Sequence, residues 1–173
     1  MQEFLKFFKA EGVELIMPKS LFQEIVFTVL MVFVMVYAMI CYNIALATGG
    51  MSNEIFLKAF HELLIMAPIG FVLDMLIAGP IAKKITFKLF NPREVNPIFI
   101  ILSISICSIW FMCPLMSLAA TILFKGGFQS ETVSIWLQTT AMNYPMATFW
   151  QLLFAGPIVR KIFGLVFGRK QEK

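Results

Sequence analysis

Ala78-Gly79-Pro80-Ile81-Ala82-Lys83-Lys84-Ile85 returns as Ala155-Gly156-Pro157-Ile158-Val159-Arg160-Lys161-Ile162, at an offset of 77 residues. The same offset, held without a gap, pairs Phe22 with Phe99, Met39 with Met116 and Leu46 with Leu123. It also pairs Gly49-Gly50 with Gly126-Gly127, Glu54 with Glu131, Pro68 with Pro145 and Phe90 with Phe167. Repetition at a fixed period points to a duplicated structural unit. Each copy is long enough for two membrane-spanning helices, so the chain reads as two tandem hairpins.

Composition supports the membrane reading. Of the 173 residues, 60% are hydrophobic and only 14% are charged, and the mean hydropathy is +0.85. Soluble domains carry about 25% charged residues. A core built from this chain must be closed by lipid. The net charge of +4 is small, and no basic run is interleaved with exposed aromatics as a nucleic-acid surface requires. Cys41, Cys107 and Cys113 lie within apolar segments without CxxC spacing, and the single histidine leaves no metal-ligand set. They read as small buried apolar side chains, with no metal and no cofactor expected.

A bilayer core of about 30 Å requires about 20 apolar residues in a helix. Four segments satisfy this, at about 21–47, 54–81, 97–124 and 131–158. Ser20 with Gln23 has capping-box spacing, Asn96-Pro97 offers a cap and a first-turn proline, and Ser130 precedes the fourth segment. Gly49-Gly50 and Gly126-Gly127 supply stops. The first segment is too long for the apolar part of a signal peptide and lacks a small-x-small cleavage site. The expected organisation is a cytoplasmic amphipathic or frayed stretch over 1–19, repeats over 20–92 and 93–168, and a basic tail over 169–173.

Basic residues set the orientation. Lys6, Lys9 and Lys19 precede the first span; Lys83, Lys84, Lys88 and Arg93 separate the second from the third. Arg160, Lys161, Arg169, Lys170 and Lys173 follow the fourth, and only Lys58 and Lys125 fall on the other side. That is 12 against 2 across short connections, the circumstance in which the positive-inside rule applies. Both termini are expected in the cytoplasm. Two spans per repeat bring both halves into the membrane in the same direction, so the pseudo-two-fold axis runs along the membrane normal. The fold expected is all-α: a polytopic membrane protein of four transmembrane helices, arranged as two parallel-repeat hairpins.

Polar groups inside these spans are the candidate site. Pro68 and Pro145 occupy matched mid-span positions and each frees the carbonyl four residues earlier, at Leu64 and Ala141. Matched kinks are expected there, and a separate bend at Pro114, which has Tyr37 as its repeat partner. His61, Glu62 and Asp74 are the ionisable groups of the second span, and the offset sets Gln138, Thr139 and Gln151 opposite them. A charge at the bilayer centre costs about 2.5–3.5 kcal/mol on insertion scales. Two readings stand. Glu62 is locked by His61, Asn43 or Gln138 while Asp74 reaches Lys83 or Lys84, or else His61 and Glu62 titrate in a water-filled cleft. His61 and Asp74 lie about 220° apart around an ideal helix and form no single proton wire. Asn143, just before Pro145, is placed to satisfy a freed carbonyl on a neighbouring span, and Tyr42 and Trp136 read as interface anchors.

Enzyme signatures are mostly absent. His61-Glu62 opens like HExxH, but Ile65 stands where the second ligand belongs, and there is no phosphate-cradling glycine loop. The abundant Met and Phe residues read as lipid-facing bulk and packing.

Trp136, Asn143-Tyr144-Pro145 and Ala155-Gly156-Pro157-Ile158-Val159-Arg160-Lys161 resemble the bacterial integral membrane family known as domain of unknown function 2798. Its members are often single hairpins ending in an aromatic-proline step, an Ala-Pro turn and a basic pair. This chain is similar to a tandem version over about 18–90 and 96–168. The first repeat departs from the pattern, with Ala59-Phe60-His61-Glu62 in place of the Trp region. The resemblance implies a multi-pass protein of the bacterial plasma (inner) membrane. It also implies that single-hairpin members dimerise, and it assigns no activity.

The functional expectation is a transport-related role, with His61, Glu62, Asn43 and Gln138 as the centre of the site and Asp74 and Gln151 beyond it. The alternative is a structural or regulatory membrane protein acting through helix contacts with a partner; an intramembrane enzyme is the third reading. The partners expected are the lipid bilayer and either a second copy of the chain or another membrane protein. A small ligand or ion is left unspecified.

Overall fold

Four helices account for nearly all of residues 20–91, 95, 97–124 and 130–167, which a computed structural model of the protein describes. We label them α1 (Leu21–Thr48), α2 (Asn53–Leu89), α3 (Pro97–Phe124) and α4 (Thr132–Phe167). Each is long and apolar enough to cross a membrane. The expected amphipathic stretch, the basic tail, Asn96 and Gly126-Gly127 lie outside the described residues.

Local chemistry sets the helix ends. Ser20 Oγ accepts the Gln23 N–H at 3.3 Å, capping α1, an interaction of about 1 kcal/mol. Gly49 ends α1 with φ of 80°, a left-handed conformation that a Cβ disfavours. At α4 the cap position belongs to Glu131, one residue beyond the expected Ser130.

One sequence expectation needs correcting here. The second and fourth helices do not end near 81 and 158. Helices α2 and α4 run on through Gly79-Pro80 and Gly156-Pro157 to Leu89 and Phe167. Both helices continue past the mid-span Pro68 and Pro145, and two π-helical turns lie further on, at Asp74–Ala78 and Gln151–Ala155. The Gly79 N–H donates to the Asp74 carbonyl and the Gly156 N–H to the Gln151 carbonyl, each five residues back. Proline lacks a donor and crowds the carbonyl four residues earlier, and the widened turn accommodates it. Glycine is needed in front of each proline, because a Cβ on Gly79 or Gly156 would lie 2.8 Å from the Asp74 or Gln151 carbonyl oxygen.

These π turns are where each second helix changes partner. Over Asn53–Leu73, α2 packs on α1; past the turn, Gly79–Leu89 packs on α3. In the same way Thr132–Trp150 of α4 packs on α3, whereas Gly156–Phe167 packs on α1. The second crossing is fastened by Phe27 against Phe163, ring centroids 5.5 Å apart and edge to face. The two hairpins thus interlock at the end carrying Lys83, Lys84, Arg160 and Lys161, which we call the basic end.

The pseudo-symmetry reaches into the core. Val32 and Ile109, Val36 and Cys113, Leu63 and Thr140, Met66 and Asn143, Ala78 and Ala155, and Ala82 and Val159 are pairs at the repeat offset, and all are buried. Small residues dominate where helices meet: Ala59, Ala78, Ala82, Ala155 and Val159 have no exposed surface. Large apolar side chains such as Leu57, Leu64, Leu76, Trp110 and Leu165 point outward. In water this arrangement would be inverted. In lipid it is stable, because tails solvate the exterior and close approach of small residues supplies the packing. The protein is an all-helical membrane protein of two parallel hairpins.

Candidate functional site

A partly open cavity of about 610 Å³ lies between the helices, with walls from all four. Its lining is largely apolar. Seven of the twelve methionines face it: Met31, Met35 and Met39 on α1, Met66 and Met75 on α2, and Met112 and Met116 on α3. The methionines are therefore not only lipid-facing bulk. Their i, i+4 spacing on α1 and α3 builds a flexible, polarisable wall that adapts to varied apolar shapes.

Toward the loop end, Asn43, Glu62, Ser117 and Asn143 face the cavity. Asn43 is not Glu62's partner; its Nδ2 donates to the Met39 carbonyl of its own helix at 2.8 Å. Asn143 does not reach a freed carbonyl either. Its Nδ2 donates to Ser117 Oγ at 3.1 Å, and its buried Oδ1 is left without a partner among the described residues. Glu62 is half-buried and has no hydrogen bond or ion pair among those residues.

His61 and Gln138 lie elsewhere. Both are exposed and neither lines the cavity. The His61 ring sits with Nδ1 3.3 Å from the Leu57 carbonyl oxygen on its own helix. Adjacent residues on a helix point about 100° apart, so once Glu62 turns inward His61 faces lipid. The expected His61–Glu62–Gln138 cluster is not assembled.

At the basic end the cavity meets Glu24, Asp74, Lys83, Gln151 and Arg160. Lys83 pairs with Glu24 across the bundle. Asp74 lies within electrostatic reach of Lys83 but forms no direct ion pair with Lys83 or Lys84; its Oδ1 accepts from Ser108 Oγ at 3.2 Å. Gln151 Nε2 lies 3.5 Å from Met31 Sδ. Met31 and Ser108, like Asp74 and Gln151, are pairs at the repeat offset. One crossing contact therefore occurs twice, each time from the first residue of a π turn to the other repeat.

Lys83 and Arg160 line the cavity, whereas sequence reasoning used Arg160 only for orientation and Lys83 for orientation and as a partner of Asp74. In each basic pair one member faces outward, Lys84 or Lys161, and the other turns into the cavity. The signal was present: two neighbouring residues on a helix cannot share one face.

Aromatic donors complete the architecture. Tyr144 Oη donates to the Trp110 carbonyl at 2.8 Å, Tyr42 Oη to Met142 at 3.3 Å, and Trp136 Nε1 to Pro114 at 2.9 Å. Tyr42 and Trp136, expected as interface anchors, have their polar ends on backbone carbonyls of neighbouring helices. Helix α3 runs on through Pro114.

The comparisons with known proteins agree with the duplicated architecture. The family model described as domain of unknown function (DUF2798) matches twice, at residues 20–90 and 99–167, once per hairpin. The chain is similar to a protein of Bacillus subtilis (strain 168) named uncharacterized protein YybC. The two are 33% identical over 150 residues, covering 85% of this chain and 92% of that protein. No solved structure matches. With both hairpins matched, the chain belongs to the family described as domain of unknown function DUF2798.

Proposed function

We propose that this is a bacterial plasma-membrane protein with a transport-related role, whose intramembrane cavity is its ligand site. The observation that carries the reading is the cavity itself. It draws on every helix, is walled by methionine, and holds Glu62, which has no partner among the described residues. A scaffold acting only through its outer surface gains nothing from a partly open cleft of about 610 Å³ between its helices, since unfilled volume forfeits packing contacts. Cavities of about 300–1,000 Å³ are the usual size of small-molecule sites.

The orientation proposed puts both termini in the cytoplasm, supported by the 12-to-2 distribution of lysine and arginine. The test is flux in reconstituted vesicles. The wild-type protein is screened against small organic ions and protons, with Glu62→Gln as comparison. Flux that disappears in this variant while the protein inserts and folds normally supports the reading. Wild-type vesicles no leakier than empty ones across the panel turn it toward a structural or regulatory role.

A further inference from the structure

We propose that Arg160 makes the cavity an anion site, taking the carboxylate or phosphate of an amphipathic molecule whose apolar body lies along the methionine wall. The inference rests on the reading of the cavity as a ligand site.

Arg160 is 8% exposed and lines the cavity at its basic end. Its Nη1 lies close over Gly156, 3.1 Å from where a Cβ would stand. Among the described residues it makes no hydrogen bond and no ion pair. A buried carboxylate can relieve its isolation by accepting a proton. A guanidinium has no such recourse, because it stays charged throughout the physiological range. Of the other charged groups lining this cavity, Lys83 and Glu24 pair with each other, Asp74 lies near that pair and accepts from Ser108, and Glu62, toward the loop end, has no partner among the described residues. Arg160 is the lining cation that has no carboxylate partner among the described residues.

The repeat shows what is missing. Lys83 is the first-repeat equivalent of Arg160, and its partner is Glu24. At the offset of 77 residues Glu24 becomes Ile101, which also lines the cavity. The second hairpin keeps the cation and replaces its carboxylate with an apolar side chain. An external oxyanion fills that vacancy, and the planar guanidinium fork suits a carboxylate or phosphate. The long apolar wall beyond it calls for a ligand with a hydrocarbon body rather than a free inorganic ion. Such an anion has two sources, a lipid headgroup entering sideways from the bilayer or a free amphipathic acid.

Binding is measured with the full-length protein in phosphatidylcholine nanodiscs, from thermal-unfolding shifts and native mass spectrometry. The probes are decanoate, phosphatidylglycerol and, as the matched cation, decyltrimethylammonium. Decanoate or phosphatidylglycerol should bind and raise the unfolding temperature, while the cation should not; which anion is preferred separates free acid from lipid. Arg160→Gln should weaken anion binding by at least about tenfold, the loss of a charge-assisted contact. Arg160→Lys should retain part of it. Because Arg160→Gln can fail to fold, Ile101→Glu serves as the second variant. It restores the carboxylate of the first repeat, should pair with Arg160, and should block anion binding in a folded protein of equal or higher stability. Equal binding of anion and cation, or undiminished anion binding in folded Arg160→Gln or Ile101→Glu, overturns the proposal. Anion binding without flux leaves it standing and removes the transport reading; flux of an organic cation without anion binding does the reverse.

Discussion

Tyr144 Oη donates a 2.8 Å hydrogen bond to the carbonyl oxygen of Trp110, which is the carbonyl that Pro114 leaves without a helical donor. Proline at position 114 has no N–H to return to residue 110, and lipid offers no substitute. A tyrosine from α4 fills the gap, with its ring 5.8 Å from that of Trp110. Removing the hydroxyl with Tyr144→Phe should cost about 0.5–1.5 kcal/mol of stability. Reversible unfolding in mixed detergent micelles measures it. The penalty should shrink in a Pro114→Ala background, where the substituted residue supplies its own N–H to the Trp110 carbonyl.

Substitution of the glycines at the π turns should reverse the usual helix rule. Gly→Ala inside a helix ordinarily stabilises by about 1 kcal/mol. Here the new methyl meets a carbonyl oxygen at 2.8 Å, and Gly79→Ala or Gly156→Ala should destabilise by about 1–3 kcal/mol, as overpacking does. Gly50→Ala, with open space around it, is the control and should unfold close to wild type.

The Glu24–Lys83 pair joins α1 to α2 at the basic end, with both side chains partly exposed. Glu24→Gln should lower stability by about 1 kcal/mol or less, and the loss should lessen at high salt. The exchanged pair, Glu24→Lys with Lys83→Glu, should recover most of it. Thermal unfolding at low and high ionic strength reads both.

Neighbours His61 and Glu62 should behave oppositely in flux assays. Glu62 faces the cavity and His61 faces outward. Glu62→Gln should reduce flux to less than about a tenth, a loss of more than about 1.4 kcal/mol, whereas His61→Leu should stay close to wild type. A large loss from His61→Leu would contradict the placement of the site.

Orientation has its own readout. If the proposed orientation holds, a fluorescent protein fused after Lys173 should fold in the cytoplasm and be bright. A periplasmic reporter fused at the α1–α2 connection, near Gly50, should be active.

Much of the fold was legible because lipid solvation imposes long uninterrupted runs of apolar residues, and the repeat made the two halves confirm each other. Ser20 and Gly49 announced the limits of α1 for reasons confined to their own backbone. The segments expected to end near 81 and 158 run on to Leu89 and Phe167, since a proline that disfavours an α-helix is tolerated when the preceding turn widens. That tolerance depends on a hydrogen bond to Asp74 or Gln151 formed in the folded chain, and no residue count reveals it. The site was only half visible. Intramembrane Glu62 and Asp74 stood out by their cost in lipid, but His61 turned away from the cavity through the angle between successive residues. Arg160 was absorbed into the charge asymmetry, and Lys83 into that and a pairing with Asp74; only the packing of the second helices shows which member of each basic pair turns inward.

The change of partner at each π turn also settles what either half is on its own. Cut between the hairpins, the chain would yield two pieces whose last three helical turns, Gly79–Leu89 and Gly156–Phe167, have no mate. Neither piece owns a finished interior, so self-sufficiency begins only at the pair. Tethering them in one polypeptide fixes a one-to-one ratio and lets the twins diverge, one keeping a neutralised cation and the other a bare one.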